Sequence, residues 1–193
     1  MDANAEDAIF GTPLIAAARG GHDAVVAALL RCESVDADRR SQRDTPLTAA
    51  VSEGHLASAR LLVASGRCDL GRPQQSSSCP SGHRMPSDDA LTLAAKRGDV
   101  ALVDLLLSRG ANPNGGAPGT CDTPLTAAAA CGHADVLERL LAAGADVDGV
   151  AQWAGRTALV AAAESDSAEA RRCCEILLKT GADANFVSAG VVG

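Results

Sequence analysis

The residues best suited to chemistry in this chain of 193 residues are its seven cysteines and four histidines. Thiolates and imidazoles are the usual ligands of structural zinc, normally in closely paired sets such as C-x2-C. Only Cys68, Cys79 and His83 lie near one another, and their C-x10-C-x3-H spacing lacks that pairing. We interpret them as unrelated polar loop residues, and we expect no metal and no other cofactor.

Three histidines recur at one position of a repeated pattern. His22, His55 and His133 each follow a glycine directly. A catalytic histidine needs a nucleophile or a carboxylate beside it that makes one copy special, and the sequence offers none. It also has no phosphate loop, nucleophile elbow, metalloprotease motif or dinucleotide fingerprint. We predict that these histidines make hydrogen bonds near a helix-turn-helix junction and that the protein is not an enzyme.

Charge and composition exclude further classes. The chain carries 24 Asp and Glu against 17 Lys and Arg, a net charge of −7, which argues against direct binding of nucleic acid. No apolar run is long enough to insert into a membrane. The opening MDANAEDAIF lacks the features of a secretory signal. The cysteines are therefore expected to be reduced thiols, and the protein to be intracellular, in the cytoplasm, the nucleus or both.

Internal self-similarity dominates the sequence. TPLIAAARGGH from Thr12, TPLTAAVSEGH from Thr45 and TPLTAAAACGH from Thr123 nearly coincide, and weaker copies start at Asp89 and Thr157. Consecutive copies are 33 or 34 residues apart, except that 44 residues separate the second from the third. This period is typical of stacked repeats, in which each unit buries its apolar face against its neighbours.

Each copy predicts two short helices. Thr, or Asp89 in the third copy, suits an N-cap, and an alanine-rich first helix then runs to a glycine. A more apolar second helix follows, with the i, i+3/i+4 spacing of a buried face. Its core residues are predicted to be Val25, Val26, Leu29 and Leu30; Ala59, Leu61, Leu62 and Val63; Leu102, Val103, Leu106 and Leu107; and Val136, Leu137, Leu140 and Leu141.

These motifs and their period closely resemble the ankyrin repeat, whose signature is T-P-L-H-x-A. The resemblance covers roughly Asp7 to Asn185 and implies an all-α solenoid of stacked helix-turn-helix pairs with hairpin-like finger loops. It implies five repeats, at about 7–38, 40–70, 84–114, 118–148 and 152–185, in a single domain over 1–193. The signature histidine is replaced in every copy, by Ile15, Thr48, Thr92, Thr126 and Val160.

Three segments depart from the regular pattern. Residues 71–87 are rich in Ser, Pro and Gly and predict a loop insertion, either without a role or serving as a partner-contact or phosphorylation segment. The fifth copy lacks the Gly-His step and has three extra residues, which predicts a longer loop or second helix around Ser165–Arg171. After Asn185 the chain ends FVSAGVVG, and we expect either a longer parent protein or a tail that folds over the last helix.

The resemblance implies a non-catalytic protein–protein interaction module. Such an adaptor, scaffold or substrate-recruitment domain binds a peptide segment or a folded partner on its concave surface of fingers and first helices. A regulatory inhibitor that clasps a folded kinase or transcription factor is the alternative. A metal-dependent or enzymatic domain is the less favoured one, because no constellation of residues supports it.

Counting from the motif places the expected contacts before each cap and before each Gly-His step. Asp44, Asp88 and Asp122 on the central fingers predict an acidic stripe for a basic segment of the partner, or else aspartates that stabilise helix N-termini. Trp153, the only tryptophan, predicts an apolar anchor on the fifth finger. The predicted contact residues are Arg19, Asp44, Ser52, Glu53, Asp88, Lys96, Arg97, Asp122, Trp153, Arg156 and Glu164.

Overall fold

The computed structural model describes residues 11–41, 44–71, 88–115, 122–150 and 155–186, which form ten helices and no strand. The helices come in five consecutive pairs, here called the first to fifth repeats. This confirms the predicted all-α architecture. The helices are α1 Pro13–Arg19, α2 Asp23–Leu30, α3 Pro46–Glu53, α4 Leu56–Ala64, α5 Ala90–Arg97, α6 Val100–Ser108, α7 Pro124–Cys131, α8 Ala134–Ala142, α9 Ala158–Ala163 and α10 Ala170–Lys179.

The odd-numbered helices begin at the predicted caps. The Thr45 hydroxyl accepts from the Thr48 N–H at 3.2 Å, and the Thr48 hydroxyl accepts from the Thr45 N–H at 2.9 Å, which completes a capping box. In the third repeat the Asp89 carboxylate accepts from the Thr92 N–H at 2.7 Å. At Thr48, the residue that replaces the signature histidine is thus part of the helix cap.

Left-handed glycines end the first helices of the middle repeats. Gly54, Gly98 and Gly132 have φ of 82°, 72° and 73°, a region that favours glycine because it has no Cβ. The fifth repeat has no such glycine. There α9 stops at Ala163, and the extra residues form a longer loop over 164–169 before α10.

Two parallel stacks of helices build the core. The odd-numbered helices pack on one another in chain order, and the even-numbered helices do the same. Alanine fills the contacts between odd-numbered helices: Ala127, Ala128 and Ala129 of α7 are each at most 1% exposed. Small side chains let the backbones of these helices approach closely. The even-numbered helices contribute larger side chains to the core, such as Leu106 of α6 and Leu140 of α8, which are fully buried.

Val25 is a correction to the predicted core. Its side chain is 49% exposed, although its counterparts in later repeats, such as Leu102 and Val136, are at most 2% exposed. The reason is positional: in later repeats the preceding repeat packs against this site, and the described residues begin with the first repeat. Leu30, Leu107 and Leu141 are half-buried and pack against the core.

Several predictions fall outside the described residues. These are the insertion 71–87 apart from Gly71, the tail after Phe186, and Cys79, His83 and Trp153. Expectations about them stay predictions. Every helix in the part of the chain that the structure describes is too short or too polar to cross a bilayer.

Candidate functional site

The predicted contact residues of the first two repeats meet across the boundary between them. Asp44 lies just before the cap of α3, and its Oδ2 accepts a hydrogen bond from Nη2 of Arg19 at 2.7 Å. Arg19 is in the last turn of α1. The Asp44 side chain is 7% exposed and that of Arg19 is 37% exposed. This carboxylate is therefore paired with a cation of the preceding repeat.

Lys96 joins the third and fourth repeats in the same way. Its Nζ donates to Oδ2 of Asp88 at 2.7 Å and lies 3.2 Å from Oδ2 of Asp122. Burial alone would lower the pKa of Lys96, but the carboxylates of Asp88 and Asp122 outweigh it and raise the pKa. The ammonium group thus stays protonated between two aspartates that are themselves mostly covered.

Arg156 continues the series into the fifth repeat. Its guanidinium lies 3.8 Å from Oδ1 of Asp122 and donates to Oε2 of Glu164 at 3.0 Å. Glu164 is the outermost member, with its side chain 60% exposed. We call the whole set the charge row; its members are Arg19, Asp44, Asp88, Lys96, Asp122, Arg156 and Glu164.

The charge row differs from the bare acidic stripe that the sequence suggested. Asp44, Asp88 and Asp122 each face a lysine or arginine, so the charges along this row alternate in sign. The side chains that cap the helices belong to the residues that follow each aspartate. Sequence reasoning identified both partners of these pairs as surface contacts but gave no sign that they would contact each other.

The other predicted contacts among the described residues, Ser52, Glu53 and Arg97, lie at the ends of α3 and α5. The Ser52 hydroxyl donates to the Ala49 carbonyl at 3.0 Å, and Glu53 is exposed. Arg97 reaches back from the third repeat, and its Nη1 donates to the Ser52 carbonyl at 2.9 Å. Arg97 thus ties two repeats together as well as lining the surface.

One backbone carbonyl recurs as an acceptor between repeats. It lies at the end of an odd-numbered helix, where carbonyls lack a partner inside the helix. A different side chain of the next repeat donates to it each time, at 2.8 to 3.0 Å. The donor and acceptor residues are Arg97 and Ser52, His133 and Lys96, and Ser165 and Ala130.

His133 carries out the structural role that was predicted for the recurring histidines. A carbonyl only accepts, so the Nε2 of His133 that contacts the Lys96 carbonyl carries the proton. The same ring lies over Gly98, where an added Cβ would come within 2.6 Å of it. His55 lies over Gly21 in the same way. Gly21 and Gly98 therefore need to be glycine both for their positive φ and because a histidine of the next repeat occupies the space of a Cβ.

The thiols and the potential metal ligands among the described residues do not form a metal-binding cluster. No group of three or more His, Cys, Asp and Glu residues is arranged to hold a metal there. Burial, assisted by Asp38, raises the pKa of Cys68 to about 12, which leaves it a poor nucleophile at neutral pH. The free cysteines of the described residues are Cys32, Cys68, Cys131, Cys173 and Cys174.

Comparison with known families gives one match. A sequence model described as ankyrin repeats (3 copies) matches residues 1–73 and 87–188. The gap between the two matched segments lies within the predicted insertion 71–87. Among curated proteins, none matches the chain.

Proposed function

Because the chain belongs to the ankyrin-repeat family, we propose that it binds a protein partner across the surface formed by its fingers and odd-numbered helices. Members of this family are generally protein–protein interaction modules and typically not enzymes. The observation that carries the proposal is the charge row, to which all five repeats contribute. Fixed, alternating charges give a partner orientation and specificity more than affinity.

The partner that we propose carries a basic segment and an apolar anchor, as an adaptor or substrate-recruitment domain would require. Glu53 supports the basic segment because it is exposed, and Glu164, although it pairs with Arg156, still has 60% of its side chain open to a partner. The paired aspartates contribute less, since binding a new cation there means displacing one already present. Trp153 is the proposed contact for the anchor, because tryptophan is among the residues enriched where interface energy concentrates.

The first experiment identifies and then measures the partner. Affinity capture with the intact array, followed by peptide mapping, separates a linear segment from a folded domain. If the array captures a folded kinase or transcription factor, and no single peptide of that protein is retained, the result favours the regulatory-inhibitor alternative. We also propose an intracellular setting, which the free thiols of the described cysteines support.

Substitution then tests the surface. Trp153→Ala is expected to weaken binding of the mapped segment by about 2 kcal/mol or more without unfolding the array. Glu53→Gln with Glu164→Gln should lower the association rate and flatten its salt dependence. Glu33→Gln, an exposed carboxylate beyond α2, is the matched control. Wild-type affinity and rate in both test variants would contradict the proposed surface.

Asp44→Asn with Asp122→Asn makes a second comparison. This pair was the obvious choice from the sequence, and it should also slow association. Because it breaks ion pairs between repeats, it is expected to lower stability as well. Thermal unfolding of the same variant separates the two effects. The Glu53 and Glu164 changes should shift the midpoint much less, because the Arg156–Glu164 pair lies within one repeat and is largely exposed.

A further inference from the structure

The large apolar side chains that are exposed in the described residues lie at the two ends of the helix stack. Val25, in the first repeat, is 49% exposed, and Val160 and Leu178, in the fifth repeat, are 39% and 51% exposed. No middle repeat has such a side chain in the described ranges. The exposure therefore follows from position in the stack.

The C-terminal face of the stack is one half of a repeat–repeat interface. At the position of Val160, the residues of the four earlier repeats are at most 1% exposed, and the first helix of each of those repeats packs on the first helix of the next. Ala163 is exposed, whereas its counterpart Ala129 is fully buried. Leu159 and Cys174 are half-buried where earlier counterparts are fully buried. We define this C-terminal face as Leu159, Val160, Ala163, Cys174 and Leu178.

The N-terminal face is the other half of the same interface. The counterparts of Val25 in the next four repeats are at most 2% exposed. Pro13 is exposed although Pro46 and Pro124 are buried, and Leu29 is half-buried although later counterparts such as Leu62 are fully buried. We define the N-terminal face as Pro13, Val25 and Leu29.

Polar groups at the two ends match as well. Side chains after the even-numbered helices accept a backbone N–H of the next repeat: Asp38 from Asp69 at 3.2 Å, Asn114 from Asp146 at 2.7 Å and Asp148 from Asp183 at 3.0 Å. In the fifth repeat Asn185 holds the acceptor position, and in the first repeat Asp36 holds the donor position. Each end thus carries apolar and polar groups that correspond to those of the interface between consecutive repeats inside the chain.

We propose that this protein associates head to tail, with the N-terminal face of one copy docked on the C-terminal face of a second copy. The occupant is a second copy because the docked surface continues the interface between consecutive repeats, position by position. A long connection does not prevent such stacking. The insertion 71–87 separates α4 from α5 in the sequence, and yet α5 packs on α3 and α6 packs on α4. A heterologous contact of this kind leaves one free face at each end and permits growth beyond a dimer.

Sedimentation velocity of the full chain, under reducing conditions and from low micromolar to near-millimolar concentration, tests the proposal. The sedimentation coefficient should rise with concentration. Added salt should strengthen association, because copies with a net charge of −7 repel each other. Val25→Asp and Leu178→Asp should each weaken association by on the order of tenfold or more. Ala142→Asp, at an exposed site on α8 of the fourth repeat, should have no effect.

Mixing the two variants gives the most specific result. Val25→Asp keeps an intact C-terminal face and Leu178→Asp keeps an intact N-terminal face. At concentrations where the unaltered chain just associates, each variant alone should stay largely monomeric, while an equimolar mixture should form a complex of two chains that grows no further. Circular dichroism of each variant checks that the helices remain.

Three outcomes would overturn the proposal. The full chain could stay monomeric over the whole range, the mixture could fail to associate, or both single variants could associate like the unaltered chain. A variant without residues 187–193 locates the cause of a monomeric result. If that variant associates and the full chain does not, the tail covers the C-terminal face in place of a second copy.

Discussion

Cys68 and Cys131 carry the same thiol in opposite surroundings. Cys131 is exposed at the end of α7, whereas the Cys68 Sγ donates to the Ala37 carbonyl at 3.4 Å and has its pKa raised to about 12 by burial. Near pH 9, the ordinary pKa of a thiol, we expect iodoacetamide to alkylate Cys131 at least about tenfold faster than Cys68. Peptide mass spectrometry reads both rates, and equal rates would contradict the buried environment of Cys68.

The same shift makes stability depend on pH. The pKa of Cys68 is higher in the folded state than its value of 9.0 in the unfolded chain, so its contribution is present below pH 9 and is lost as the pH rises towards about 12. Lys96, with a raised pKa, acts in the same direction. We expect the urea midpoint to fall less steeply above pH 9 in Cys68→Ala than in the unaltered chain. Parallel profiles would show that another group causes the fall.

At the scale of helices, the turn inside each of the first four repeats combines a glycine with a side chain of the next repeat. Gly98 has φ of 72° and His133 lies over it, whereas Gly144 has φ of 88° and open space above it. Gly144→Ala is expected to cost about 1–2 kcal/mol, because it places a Cβ in the left-handed region. Gly98→Ala should cost more, because the His133 ring must also move. Chemical denaturation gives both values.

A double substitution isolates the histidine. In the His133→Ala background, Gly98→Ala should cost no more than Gly144→Ala, since the obstructing ring is gone. His133→Ala alone should cost about 1 kcal/mol for the lost bond to the Lys96 carbonyl. An unchanged penalty for Gly98→Ala in that background would mean that His133 does not restrict the turn.

The sequence predicted the helices well and the contacts between repeats poorly. Caps such as Thr45 and Asp89, and end glycines such as Gly98, act on neighbours three or four residues away, so a local pattern reveals them. The pairing of Arg19 with Asp44 depends on how two helix pairs stack, which the spacing of motifs does not encode. Arg97 donates to the Ser52 carbonyl as His133 donates to the Lys96 carbonyl, but Arg97 stands at a different position of the repeat. No recurring residue in the motif could therefore predict its contact.

At the scale of the whole molecule, the boundary between the second and third repeats has fewer polar contacts among the described residues than the other boundaries have. Elsewhere in the described ranges, each boundary has an ion pair and an Asp or Asn side chain that accepts an N–H of the next repeat. At this boundary the accepting position is Gly71, which has no side chain, and the position of Lys96 is occupied by the neutral Ser52. Arg97 and Arg109, which cross it, are long side chains that lose entropy when held.

This boundary is therefore expected to divide unfolding into two steps. Stability in a stack is roughly a sum over repeats and interfaces, so the two-repeat block should unfold before the three-repeat block. Trp153, the only tryptophan, lies between α8 and α9 in the sequence, so its fluorescence is the chosen probe of the larger block, while circular dichroism follows both blocks. We expect dichroism to fall at a lower urea concentration than the Trp153 signal changes. Ser52→Lys should bring the transitions together by adding a cation beside Asp88, and Glu53→Lys, the exposed neighbour, should not. Coincident transitions in the unaltered chain would mean that the apolar contacts of α3 with α5 and of α4 with α6 couple the blocks by themselves.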